Sequence, residues 1–290
     1  MPATNHAFAA FEQKWLSEFP ENMMVGLFLP ATHRQRASAF GSLIHELTQT
    51  AFYRSEAQIA STKLGWWRQE LIDAQAGSAR HPVTAVLFAD AQMRASDPAV
   101  WSGLADNALA QIDRHDGSGI AQLMQRFRPW HASVARAQAT VFSLQSVECD
   151  AEVSAWTISH LLHELARIPT CPTPTMLEQI AVPLDLLARH AILRKDLIHA
   201  TAARNGFVGD YLSALLAELD ACNAPARVRN LPQRVRCALD RQMIVHARRA
   251  TDPLQWLSAH KRSGHGRNLW TAWRQVRRLG LDESSSRPML

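Results

Sequence analysis

Several features that mark common protein classes are missing from this sequence. It has 290 residues but only four cysteines, Cys149, Cys171, Cys222 and Cys237. None forms a C-x-x-C pair and their spacing matches no zinc site, so they read as ordinary buried thiols in a reducing compartment. The longest apolar runs, such as residues 23–30, are far too short to cross a bilayer. The opening MPATNHAFAAFEQKW has no basic segment followed by an apolar one, which argues against a secretion signal. No glycine-rich phosphate loop is present; Gly117-Ser118-Gly119 reads as a turn at a helix start. No Ser-His-Asp or Cys-His order, HExxH pattern, zinc finger or RNP motif occurs, which removes support for nucleophilic, nucleotide-using and nucleic-acid-binding classes. No alternating run suggests a strand, and no Gly/Ser-rich or Pro-rich linker divides the chain. These absences predict a soluble, cytoplasmic, all-α protein with one domain over residues 1–290, of which 281–290 form a flexible tail.

What is there begins with apolar residues, 47% of the chain, enough for a large core. The net charge of +5 is unevenly spread. Residues 227–278 carry 13 Lys/Arg and 2 Asp/Glu, whereas the remainder carries 18 and 24. Such a basic region suits peripheral contact with the inner face of an anionic membrane, or an acidic partner. The plainer reading is a solvated helix face, because the arginines alternate with core-type residues.

Helical spacing is clear in SEAQIASTKLGWWRQEL, where Ala60, Leu64, Trp67 and Leu71 form one stripe. Ser55 is the expected N-cap with Gln58 as its capping-box partner, and Gly77 is the expected C-terminal stop. Trp66 lies about 100° round the helix from Trp67, so this helix is expected to pack on two sides, deep in a bundle. Ser96-Asp97-Pro98 and Thr173-Pro174 mark helix starts, and Asp150 is placed to cap the segment through Leu165. Pro129 should kink or break the stretch 120–144. Leu269, Trp270, Trp273 and Val276 form another stripe, with Arg274, Arg277 and Arg278 alongside. About ten to twelve helices are expected from typical helix and loop lengths.

At KLGWWRQEL (residues 63–71) followed by HPVTAVL (81–87), the chain resembles the squalene/phytoene synthase family. The likeness extends through ASAFGSLIHEL after Arg34, the segment around Phe127 and Trp130, VPLDLLARHAILRKDL (182–197) and LWTAWRQVRRL (269–279). It implies the isoprenoid-synthase fold, a multi-helix bundle around a central cavity in which prenyl diphosphates are joined head to head. That chemistry depends on two aspartate-rich motifs on facing helices. Mg²⁺ held by carboxylates one helical turn apart neutralises the leaving diphosphate.

Here the sequence departs from the family. The first motif should fall on IHELTQTAF (44–52), where the aspartates expected near Thr48, Gln49 and Phe52 are absent. Glu46 is the carboxylate that remains, and His45 stands where the family usually has arginine. The second should fall on ISHLLHELAR (158–167), which retains Glu164. His160, His163 and Glu164 form an H-x-x-H-E cluster, but adjacent residues diverge by about 100°, so no metal site is expected. The candidate phosphate-binding residues are Arg34, Arg36, His45, Lys63, Arg68 and His163. For Arg68 the structural alternative is favoured: stacking on an indole and pairing with Glu70 or Asp73. The nine tryptophans are read as bundle core.

The leading expectation is thus a catalytically degenerate relative that binds a prenyl or other lipid ligand, or a protein partner, without a cofactor. The rival is an active farnesyl/geranylgeranyl diphosphate transferase, which would need Mg²⁺ and ligands such as Asp73, Asp185 or Asp196. Contact with a membrane through the basic 227–278 region is compatible with both.

Overall fold

The computed structural model describes residues 2–53, 56–112, 117–143, 150–171, 173–222, 230–260 and 265–279. Ser55, Cys149 and the 281–290 tail lie outside them. The described residues form α-helices and two 3-10 turns, with no strand among them. In chain order the helices are α1 (Pro2–Glu18), α2 (Glu21–Gly26), α3 (Ala31–Tyr53), α4 (Ala57–Gln75), α5 (Pro82–Leu87), α6 (Ala91–Arg94), α7 (Pro98–Leu109) and α8 (Ile120–Val141). Then come α9 (Asp150–Arg167), α10 (Pro174–Glu178), α11 (Leu184–Arg189), α12 (Ala202–Ala221), α13 (Leu231–Ala247), α14 (Pro253–His260) and α15 (His265–Leu279). These fifteen described helices exceed the ten to twelve expected because several are short, α6 being only four residues long.

The chain divides into two compact units, one of residues 1–113, 132–148 and 265–290, the other of 114–131 and 149–264. Within the first, α4 packs on α3, α5 and α7, and α3 also packs on α1 and α5. The approach of α1 to α3 depends on Gly41: a Cβ there would lie 2.2 Å from the Trp15 ring, so only glycine admits the indole. Within the second unit, α9 is flanked by α12, α13 and α14, which explains why twelve of its eighteen residues are buried.

Many local signals hold. Asp97 accepts a hydrogen bond from the Ala99 amide at the start of α7, and Thr173 accepts one from Met176 at the start of α10. At the end of α4, Gly77 has φ +93°. The Ser78 amide reaches the Asp73 carbonyl at 2.8 Å and the Gly77 amide reaches Ala74 at 3.0 Å. That double bond is the Schellman pattern, which glycine accommodates without a Cβ clash.

Three expectations need correction. The helix α4 starts after Glu56, whose side chain makes no capping bond. Of the two outcomes expected at Pro129, a kink or a break, the break does not occur: α8 runs through it over 22 residues in all, with Phe127 and Trp130 nearly inaccessible on either side. Trp66 is 43% exposed while Trp67 is 1% exposed, so α4 is sealed on one side rather than two.

Candidate functional site

The helix expected to carry the first aspartate motif, α3, presents a polar cluster to α1 and α4. Glu46 is buried, with 7% of its side chain exposed. Lys14 of α1 donates to its Oε1 at 2.5 Å, and Lys63 of α4 donates to its Oε2 at 3.3 Å. Burial raises the Glu46 pKa, but the hydrogen bonds and charges of the two lysines outweigh it and hold the carboxyl below its ordinary range. On the preceding residue, His45 Nε2 lies 3.2 Å from Glu18 Oε2, and the amide of Gln49, one turn on from His45, donates to that same oxygen at 3.3 Å. Both oxygens of Glu46 are therefore engaged by cations, an arrangement assembled from three helices.

Beside this cluster, the WWR and HPV segments meet. The His81 ring lies 4.6 Å from Trp67 and 4.6 Å from Phe11, and 5.9 Å from Trp66. Burial lowers the His81 pKa despite the nearby Glu46 and Glu70 carboxylates, which favours its neutral form. Its Nδ1 accepts from the Val83 amide, capping α5. Glu70 completes the join: its Oε1 accepts from the Arg80 and His81 amides, both at 2.9 Å, and from Thr84 Oγ1 at 2.5 Å. The two sequence segments are thus one packed joint between α4 and α5.

The other basic candidates do not gather at Glu46. Arg34 is exposed and donates to the Leu29 carbonyl. Arg36 is buried at 6% exposure, donates to Gln92 Oε1 at 3.1 Å and lies 3.5 Å from Asp90. Arg68 donates to Asp106 of α7 at 2.8 Å, with both side chains about half exposed. Neither Glu70 nor Asp73 is its partner: Glu70 is turned to the start of α5, and Asp73 pairs with Arg80 at 2.6 Å.

In the second unit, Glu164 is buried at 1% exposure, and its Oε1 lies 3.7 Å from Arg167 Nη1 one turn on. Burial first, and the Glu164 charge second, push the Tyr211 phenol well above its ordinary pKa. His163, one residue before Glu164, is half-buried. His160 instead faces the Phe127 ring at 5.0 Å and the His131 ring at 5.3 Å. His131 is buried with Thr157 Oγ1 2.9 Å from its Nδ1. Burial pulls its pKa down to about 3. A cleft of about 200 Å³ opens nearby, lined by Gln125, Arg128, Thr157 and Glu218 among others.

The three aspartates named as substitute ligands have other partners. Asp73 is held by Arg80 and Gln69. Asp185 accepts from the Leu186 amide at the start of α11, and Asp196 accepts from the Leu193 amide in a 3-10 turn. Sequence reasoning missed Lys14 and Glu18 altogether. Their only signal was position on a helix that turned out to pack against α3.

No protein-family model matches the chain, and no curated protein matches it. Solved structures do. A dehydrosqualene synthase in complex with ligand superposes with a TM-score of 0.66 at 12% identity, over 97% of this chain and 99% of that one. The squalene synthase HpnC from Alicyclobacillus acidocaldarius gives 0.55 at 14% identity, over 97% of each. The chain has an all-α, squalene/phytoene synthase-like fold of the isoprenoid-synthase type. Among the described residues, no helix is long and apolar enough to cross a membrane.

Proposed function

We propose that this chain is a squalene/phytoene synthase-like protein that does not ionise prenyl diphosphates and acts by binding a lipid or a protein partner. The observation that carries this reading is the state of Glu46. The carboxylate that remains on IHELTQTAF already has a lysine on each oxygen. Mg²⁺ takes hard oxygen ligands in near-octahedral geometry and binds through carboxylates able to face it. Here a cation would have to displace two ammonium groups to reach one carboxylate. Glu164 offers no better purchase, because Arg167 already lies beside its buried oxygen. The residues present therefore do not fit the Mg²⁺ cluster that the fold family implies.

Each lysine ammonium has three N–H donors and gives one to Glu46, while Glu18 beside His45 balances the second positive charge. The donors left over suit retention of an anionic headgroup without a metal, with Lys63 as the less exposed donor. Arg34, Arg36 and Arg68 do not gather at Glu46, so the reading narrows the basic candidates there to Lys63 together with Lys14.

The test is turnover. Purified protein is incubated with farnesyl or geranylgeranyl diphosphate and Mg²⁺ or Mn²⁺, and diphosphate release is measured. The proposal predicts none above a no-protein control. Release that is lost on Glu46→Ala or Glu164→Ala overturns it and makes the chain a head-to-head prenyltransferase.

A further inference from the structure

The last described helix, α15, is turned inside out relative to an ordinary amphipathic helix. Its buried face is Asn268, Thr271, Ala272, Gln275 and Val276, all at 9% exposure or less. Three of those five are polar. Its outward face carries Leu269 at 41%, Trp270 at 57% and Trp273 at 38% exposure. A surface helix normally turns such residues inward, because burying an indole is worth far more than burying a threonine. The stripe read from the sequence as a core face therefore points to solvent, apart from Val276.

The exposed residues are organised. The Trp270 and Trp273 rings stack with centroids 4.9 Å apart and planes 25° apart. The Arg277 guanidinium sits 5.1 Å from the Trp273 ring centroid. Arg274 and Arg278 are also exposed, and residues 265–279 contain no Asp or Glu. The helix packs against α2, and Met23 in α2 and Leu27 after it are themselves exposed at 45% and 60%.

We propose that α15 docks this protein on an anionic membrane surface, with Leu269, Trp270 and Trp273 entering the interfacial layer and Arg274, Arg277 and Arg278 meeting lipid phosphates. The charge chooses the occupant. A helix whose charged residues are all basic has no acidic residue with which to pair a second copy of itself in register, whereas anionic headgroups complement the exposed arginines of its C-terminal half. Indoles have an apolar ring body and a single N–H donor, which suits the headgroup boundary of a bilayer. A helix of this composition lies in the plane of the interface rather than across it. The proposal narrows the basic 227–278 region to one helix, and it stands independently of whether Glu46 can support catalysis.

The experiment is flotation of the intact chain with liposomes of phosphatidylcholine alone and of phosphatidylcholine mixed with phosphatidylglycerol. Binding is expected on the mixed vesicles and is lost at high salt. Replacing Arg274, Arg277 and Arg278 together with Gln should weaken it on the order of a hundredfold, at about fivefold per arginine. Trp270→Ala/Trp273→Ala should weaken it while leaving helicity unchanged and moving the unfolding midpoint little, since both side chains are partly exposed. Equal binding to neutral vesicles, or binding indifferent to the tryptophan pair, overturns the proposal. So does a tryptophan-dependent dimer by sedimentation with no vesicle binding, which would assign the face to a second copy.

Discussion

Removing both lysines from Glu46 should cost more than the two single losses together. Lys14 is about half exposed and Lys63 about a third exposed. Each alone is worth about what an exposed ion pair is worth, up to roughly 1 kcal/mol, while the other still holds the carboxylate. With Lys14→Met and Lys63→Met combined, a buried carboxylate is left without a cation. Breaking a buried pair in this way costs about 3–5 kcal/mol, and we expect about 3 because water can reach the vacated lysine positions. Adding Glu46→Gln removes the stranded charge and should recover most of the loss. Urea unfolding at neutral pH reads this as a midpoint shift at constant slope.

The pH dependence supplies the sign. In the parent, Glu46 has a folded pKa below its ordinary 4.5, so its stabilisation is present above that pH and fades as pH falls through the folded value. In the double-lysine variant burial acts alone and raises the pKa, so the deficit should shrink as the medium is acidified. A double variant as stable as the parent at neutral pH, or one that Glu46→Gln fails to rescue, would refute the reasoning.

Two further expectations concern stability. Trp67→Ala should cost roughly 3–5 kcal/mol through the cavity it leaves, and Trp66→Ala less than about 1, because the first is 1% and the second 43% exposed; thermal melts of the two separate them. His131, pulled down to about 3 by burial from 6.5, should make stability fall as pH drops from 6.5 toward 3, by roughly 4–5 kcal/mol in full. Above 6.5 it contributes no pH dependence, and His131→Asn should flatten that acid limb in pH-dependent denaturation.

Much of the fold was legible where the signal is local. Asp97-Pro98, Thr173-Pro174 and the Gly77 stop act within a few residues, and each does what its chemistry dictates. The spacing of Ala60, Leu64, Trp67 and Leu71 identified the buried face of α4 for the same reason. Legibility failed where a partner lies far along the chain. Glu46 meets Lys14 across 32 residues and Arg68 meets Asp106 across 38, and neither pairing leaves a trace in helical periodicity. At Pro129 only the break failed to appear: α8 stays continuous where Phe127 and Trp130 are buried. The α15 stripe was recognised as a stripe, yet periodicity gives only the existence of an apolar face and not the direction in which it points.

The candidate site was half legible. The sequence offered Glu46 and Glu164 as the carboxylates on the two segments where the resemblance places the motifs, and the absence of aspartates from those segments raised the question of activity. It gave no hint that Lys14 and Lys63 would occupy both oxygens of Glu46, which is the feature that turns an incomplete site into a cation-filled one.

The central claim is that a synthase-like bundle has its remaining carboxylates committed to internal cations and does not ionise diphosphates. Diphosphate release from farnesyl diphosphate with Mg²⁺ tests it most directly. The account predicts no release above the no-protein control. Sustained release that disappears with Glu46→Ala would contradict it.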